Sequence, residues 1–201
     1  MKNKIPIPVY LTVITILLFS CSGRNISTNY YYEHETVLDK IQAAYKALYQ
    51  EKPFTIAFND NGFRTVTVEI ITDTLTYIYE FGVNEPRLND SLHKYNYDSA
   101  GVNRLISLMQ SIRCTWVNNF DYYVDEQKKS LIFISIKPVA LHPLFSYRKY
   151  YIITYFSQPQ HFDSEGRLLD KRKLRRLRKI NGEIFRRIND KVCYTISGQF
   201  R

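Results

Sequence analysis

The sequence predicts an α+β fold, an antiparallel sheet with helices packed on one face. Three observations carry the prediction. Apolar residues recur at a period of 3.6 in two segments, each followed by segments whose period drops to two. Turn-forming residues separate the period-two runs at hairpin spacing. Aromatic residues make up 15% of the chain, 17 of them Tyr, and flat side chains of this kind suit a pleated, half-buried surface.

The elements follow in order. A helix is expected over about residues 33–50, where Val37, Leu38, Ile41, Ala44, Tyr45 and Leu48 share a face. Glu33 and Glu35 at its start and Lys46 near its end suit the helix dipole. Residues 22–32 lack periodicity and read as part of a tether, residues 21–32. Phe54, Ile56 and Phe58 then alternate with smaller residues. Asn59-Asp60-Asn61-Gly62 marks a hairpin, because Asn-Gly accepts the positive φ of a tight turn. Val66, Val68 and Ile70 form the next strand. Leu75, Tyr77, Tyr79 and Phe81 form a third, and residues 83–97 read as a polar connection. A second helix begins at Asp98 or Ser99 and turns Val102, Leu105, Ile106, Met109 and Ile112 inward. A second meander covers residues 115–124, 130–137 and 149–157. Residues 170–190 read as one helix, with Leu174, Leu177, Ile180, Ile184, Phe185 and Ile188 on one face. A strand over 192–197 closes the chain. The pattern amounts to two α-β-β-β units plus a C-terminal helix and strand, in one domain over residues 33–201. This order resembles tandem helix-plus-meander modules of several small exported bacterial proteins, including a β-lactamase-inhibitor type. The likeness is architectural and implies no activity.

The N-terminus has its own logic. Lys2 and Lys4 precede an apolar run from Val9 to Phe19. That run is too short to span a bilayer, which takes roughly 20 residues, but it fits the core of a secretory signal. Leu18-Phe19-Ser20-Cys21 follows and resembles the lipobox of bacterial lipoproteins. The resemblance implies a signal peptide over residues 1–20, cleavage before Cys21, acylation of the Cys21 thiol, and a membrane partner through that lipid in the inner or outer membrane of a Gram-negative-type envelope. Cys114 and Cys193 are then the remaining cysteines, open to a disulfide in an oxidising compartment or to separate burial as thiols.

Charge is unevenly spread. The chain carries +9, and loss of Lys2 and Lys4 with the signal leaves +7. Lys171, Arg172, Lys173, Arg175, Arg176, Arg178 and Lys179 account for all of it. Arg172, Arg175, Arg176, Arg178 and Lys179 are therefore the candidate anion-binding surface, for an anionic lipid or an acidic protein partner. The solvated outer face of a core helix would read the same way. Export argues against nucleic acid, the usual partner of such a run.

No catalytic or cofactor signature emerges, so no catalytic residue, metal ligand or cofactor is assigned. His34, His93, His142 and His161 show no metal-ligand spacing, and no Cys-x-x-Cys occurs. His161-Phe162-Asp163 and Asp163-Ser164-Glu165-Gly166 fit a polar turn better than a site. Asp121, Asp125 and Glu126 fit a strand and its turn. Tyr147, Tyr150, Tyr151 and Tyr155 could form an aromatic surface for glycan or peptide, or pack in the sheet. Asp73-Thr74-Leu75, Asp90-Ser91-Leu92 and Asp98-Ser99-Ala100 each resemble the Asp-Ser/Thr-apolar acceptor of an O-glycosylation system of some Gram-negative envelopes; turns and helix caps also collect these residues. The expected function is a non-enzymatic binding lipoprotein, with an inhibitor or immunity-type protein and an envelope-polymer hydrolase as alternatives.

Overall fold

The computed structural model describes residues 22–124, 127–136, 150–168 and 185–197. It is an α+β structure. Helices α1 (Ser22–Glu51), α2 (Pro86–Lys94) and α3 (Ser99–Ser111) accompany strands β1 (Phe54–Phe58), β2 (Thr65–Ile71), β3 (Thr76–Gly82), β4 (Cys114–Val124), β5 (Gln127–Ile136), β6 (Tyr150–Phe156), β7 (Arg186–Arg187) and β8 (Val192–Ser197). The strands form one antiparallel sheet in the order β3-β2-β1-β4-β5-β6-β8-β7. Each predicted meander therefore supplies three neighbouring strands of one continuous sheet. The first strands of the two units, β1 and β4, join them through Ile56↔Val117 and Ala57↔Trp116.

The main core lies between the sheet and the helices. Leu38, Ile41, Tyr45 and Leu48 form the buried stripe of α1, as their spacing predicts. They meet Val102, Leu105, Ile106 and Met109 of α3 and the inward residues of the strands, such as Phe54, Ile56, Val68, Ile134 and Ile153. Each such side chain stabilises the fold by about 1.5–3 kcal/mol on burial. A second cluster occupies the other face of β4, β5, β6 and β8. It gathers Trp116, Phe133, Ile152, Phe156 and Cys193, capped by Leu168 and Phe185. Trp116 and Phe133 stack there with centroids 6.3 Å apart. Gly101 lets α3 approach α1, since a Cβ there would stand 2.9 Å from Leu48 Cδ2.

The structure corrects four expectations and decides a fifth question. Residues 22–32 are not a tether but the first turns of α1. Ser27 and Tyr31 are buried, the Tyr31 hydroxyl donates to Glu35 Oε1 at 3.1 Å, and Asn189 Nδ2 donates to the Tyr31 oxygen at 3.1 Å. The connection over 83–97 contains α2, whose buried Leu88 and Leu92 lie one turn apart behind Pro86 in the first turn. The positive φ of the β1–β2 turn falls on Phe63 (56°) rather than on Gly62, held there by burial of its ring against Phe58. The expected helix over 170–190 does not reach its end: Arg186–Arg187 is strand β7, paired with β8 around a turn in which Asn189 Oδ1 accepts the Lys191 and Val192 N–H groups. Phe185 and Ile188 consequently pack on opposite faces of the sheet. Of the two readings left open for the cysteines, separate burial holds: Cys114 and Cys193 are free, buried thiols. A bulge between Cys114 and Trp116 reverses the strand alternation, so Cys114 joins the helix-side core while Cys193 lies on the far face.

Two outcomes test this fold. Tyr31→Ala should lower the unfolding free energy by about 3 kcal/mol in urea, whereas a tether residue would be neutral. Burial raises both thiol pKa values, that of Cys114 to about 12. Both should therefore resist alkylation at pH 8 in the native protein, and both should react in denaturant without reductant.

Candidate interaction edge

Among the described residues the sheet has an open side at β3. Val83 N–H donates to Arg64 O at 2.8 Å and Thr72 N–H donates to Leu75 O at 2.9 Å. Bonded pairs recur at every second residue of an antiparallel ladder. Given the β2–β3 register, Tyr77, Tyr79 and Phe81 therefore aim their backbone groups at β2, and Thr76, Ile78 and Glu80 aim theirs outward. Among the described residues no strand pairs with that outer side. One end of the edge is closed, because Glu85 Oε2 accepts the outward Gly82 N–H at 2.9 Å. That bond, with help from Arg87, holds the Glu85 carboxyl below its ordinary range. Along the rest, Leu75 is 57% exposed, Tyr77 36% and Ile78 66%, with Thr76 and Glu80 exposed among them. Edges are normally guarded by charged side chains, Pro or a bulge, and Thr76–Gly82 carries a single charge, Glu80, with no Pro or Lys.

An aromatic bank flanks the edge on the helix side. Tyr77, Tyr79 and Phe81 stack along β3 at 6.4 and 5.9 Å. Tyr95, just after α2, packs against Tyr77 at 5.5 Å and Tyr79 at 5.9 Å. The Tyr79 and Tyr95 hydroxyls lie 2.5 Å apart. Lys94 Nζ sits 5.5 Å from the Tyr95 ring, and Lys52 Nζ donates to Tyr95 O at 2.7 Å. The bank thus presents ring faces, phenolic hydroxyls and two cations, a surface suited to apolar and acidic groups beside an added strand.

The residues singled out from sequence lie elsewhere. Tyr151 and Tyr155 are buried and Tyr150 is half-buried, so these tyrosines serve the sheet rather than an aromatic surface. The Tyr155 hydroxyl donates to Asp39 Oδ1 at 3.2 Å. His34 lies on α1, His93 on α2 beside Ser99 Oγ at 3.2 Å, and His161 beyond β6, exposed. Asp121 pairs with Lys128 at 2.9 Å. Asp163 Oδ1 accepts the Glu165 and Arg167 N–H groups, which makes Asp163–Gly166 a turn. Among the described residues no three His, Cys, Asp or Glu side chains are placed to hold a metal, and no helix is long and apolar enough to cross a membrane. Cys21, Arg172, Arg175, Arg176, Arg178, Lys179, His142, Tyr147, Asp125 and Glu126 lie outside the described residues. The flanks of the basic stretch do not: Leu168 N–H donates to Phe185 O at 3.3 Å and Arg187 N–H to Gly166 O at 2.8 Å. The chain therefore enters and leaves that stretch through neighbouring backbone.

The β3 edge was missed in the sequence for a specific reason. Alternation assigned Tyr77 and Tyr79 to an inward face, but strand order is not contained in alternation. Leu75 and Ile78, apolar on opposite sides of the alternation, were the available signal.

The hydrogen bond to Tyr79 raises the Tyr95 pKa to about 12, against about 10 for a free phenol. A phenol with a raised pKa contributes stability below pH 10 that is lost as pH rises toward 12. In Tyr79→Phe, ultraviolet titration should return the Tyr95 step toward pH 10. An unchanged late step would show that the Tyr79 hydroxyl does not hold it. Comparison of the chain with known families, characterised proteins and solved structures yields no match, so its functional reading stands on this geometry and on the sequence.

Proposed function

We propose that the protein is an exported, lipid-anchored protein of a Gram-negative-type envelope that works as a non-enzymatic binding protein, adding an extended segment of a partner polypeptide to β3. The observation that carries this reading is the open edge at Thr76, Ile78 and Glu80, flanked by Tyr77, Tyr79 and Tyr95. Main-chain bonds along such an edge supply affinity for any extended peptide, and the aromatic bank selects its side chains. The anchor is supported by Lys2, Lys4, the apolar run and Cys21. The seven bases of Lys171–Lys179 supply an anionic contact, with roughly 1 kcal/mol expected from each base near an acidic lipid surface.

Two variants test the two parts separately. Cys21→Ser should move the protein from the membrane fraction to the soluble fraction and remove the acyl mass; unchanged fractionation at unchanged mass would sink the anchor. For the edge, a photo-crosslinker at Tyr77 should capture a discrete partner in the native envelope, and Ile78→Pro should cut that yield at least tenfold. Proline fits here because the Ile78 N–H points away from β2, so only the outward bond is lost. A yield unaffected by Ile78→Pro would rule out strand addition at this edge.

A further inference from the structure

The three Asp-Ser/Thr-apolar tripeptides are equivalent in sequence and unequal in the fold. Asp90-Ser91-Leu92 lies within α2, with Leu92 at 1% exposure in the core. Asp98-Ser99-Ala100 starts α3; the Asp98 carboxylate accepts the Gly101 N–H at 3.0 Å, and the Ser99 hydroxyl lies against His93. In both, the acid or the apolar residue already has a structural task, and the backbone is helical.

Asp73-Thr74-Leu75 differs on each point. It forms the tip of the β2–β3 hairpin, where Thr72 N–H donates to Leu75 O at 2.9 Å and leaves Asp73 and Thr74 at the two corners. Thr72 closes the turn with its own hydroxyl, which accepts the Leu75 N–H at 3.0 Å. Asp73, Thr74 and Leu75 are all exposed, and among the described residues the Asp73 carboxylate and the Thr74 hydroxyl make no bond within the chain. Leu75, at 57% exposure, has no packing role that would explain an apolar side chain at a hairpin tip. Of the three tripeptides, only this one has its acid, hydroxyl and apolar side chain all exposed and uncommitted, since Leu92 is buried and Asp98 and Ser99 are already bonded to Gly101 and His93.

We infer that Thr74 is a site of O-glycosylation and that the Ser91 and Ser99 tripeptides are not. In the transfer, Thr74 Oγ attacks the anomeric carbon of a sugar carried on a lipid pyrophosphate. The new C–O bond forms as the sugar–phosphate bond breaks, the pyrophosphate leaves with the electron pair, and the hydroxyl proton passes to a base of the transferase. The inference rests on the export proposed above, because the donor and transferase belong to the envelope.

Trypsin separates the three sites, since Ser91 lies in the peptide 88–94, Ser99 in 95–104 and Thr74 in 65–87. For protein taken from the membranes of its own host, peptide 65–87 should carry a glycan mass and the other two should run at sequence mass. Thr74→Ala should abolish the shift with the melting curve unchanged, and Thr74→Ser should restore it. Peptide 65–87 at sequence mass in a chain whose Cys21 is acylated would overturn the modification and leave export intact. A shift on 88–94 or 95–104, or one that survives Thr74→Ala, would overturn the site. A retained signal peptide with unmodified peptides would overturn the export reading and this inference together.

Discussion

The structure depends on one contact, the apolar stripe of α1 laid across the second half of the sheet. Leu38, Ile41 and Tyr45 are fully buried there, and α1 packs against β4, β5, β6 and β8 as well as α3. Hydroxyls fix its position where apolar packing alone would allow sliding. Tyr30 donates to Ile112 O at the end of α3, Tyr45 to Phe54 O at 2.6 Å, and Tyr155 to Asp39 at 3.2 Å. Burial raises the pKa of all three phenols, so they stay neutral donors across the ordinary pH range. α1 thus joins elements that are far apart in sequence into one core.

That arrangement makes the two halves of the sheet unlike each other. The half around β4–β8 is covered on both faces, by α1 and by the Trp116–Phe133 cluster with Leu168 and Phe185. The far face of β1–β3 carries Thr55, Thr67, Glu69 and Glu80, with Thr55 bonded to Asn118 and Thr67 to Asn59. α2 meets β3 from the helix side only. Hydrophobic cover therefore thins toward β3, the outermost strand, and leaves its aromatic and aliphatic side chains in contact with solvent. A sheet extended by two symmetric units would be expected to end in two similar edges. Here β6 is paired by β8 and β8 by β7, while β3 has no such closing hairpin among the described residues.

Much of this was legible in the residues, and the limits were physical. Period and length located α1, α3 and the strands, because one buried face leaves a regular trace in sequence. The α+β class followed directly. Short elements failed: α2 buries only Leu88 and Leu92, too few repeats to distinguish from a polar connection. Phe185 and Ile188 fit a helical stripe in the sequence because a strand, a turn and a second face can mimic 3.6 spacing over a few residues. The cysteines were undecidable for a related reason, since the bulge that separates their faces is a backbone feature with no signature in side-chain order. The β3 edge depends on strand order, which emerges only when β1 pairs with β4. The stretch that resembles an export signal and the basic stretch are the reverse case, fully visible in sequence and outside the described residues.

The docking of α1 also fixes the order in which this chain can finish folding. α1 is the first described element to be synthesised, yet β4, β5, β6 and β8, the strands it lies on, are made later, and β8 is the last of the described strands. The meanders β1–β3 and β4–β5 join neighbours in sequence and can form early, at little loop-closure cost. They meet only through β1 and β4, and α1 has its full set of underlying strands only after β8 has paired with β6. The nascent chain thus stays short of its native state until its final strand is complete. Under the export proposed above, this delay would keep the chain competent for passage and place the last cooperative step on the far side of the membrane.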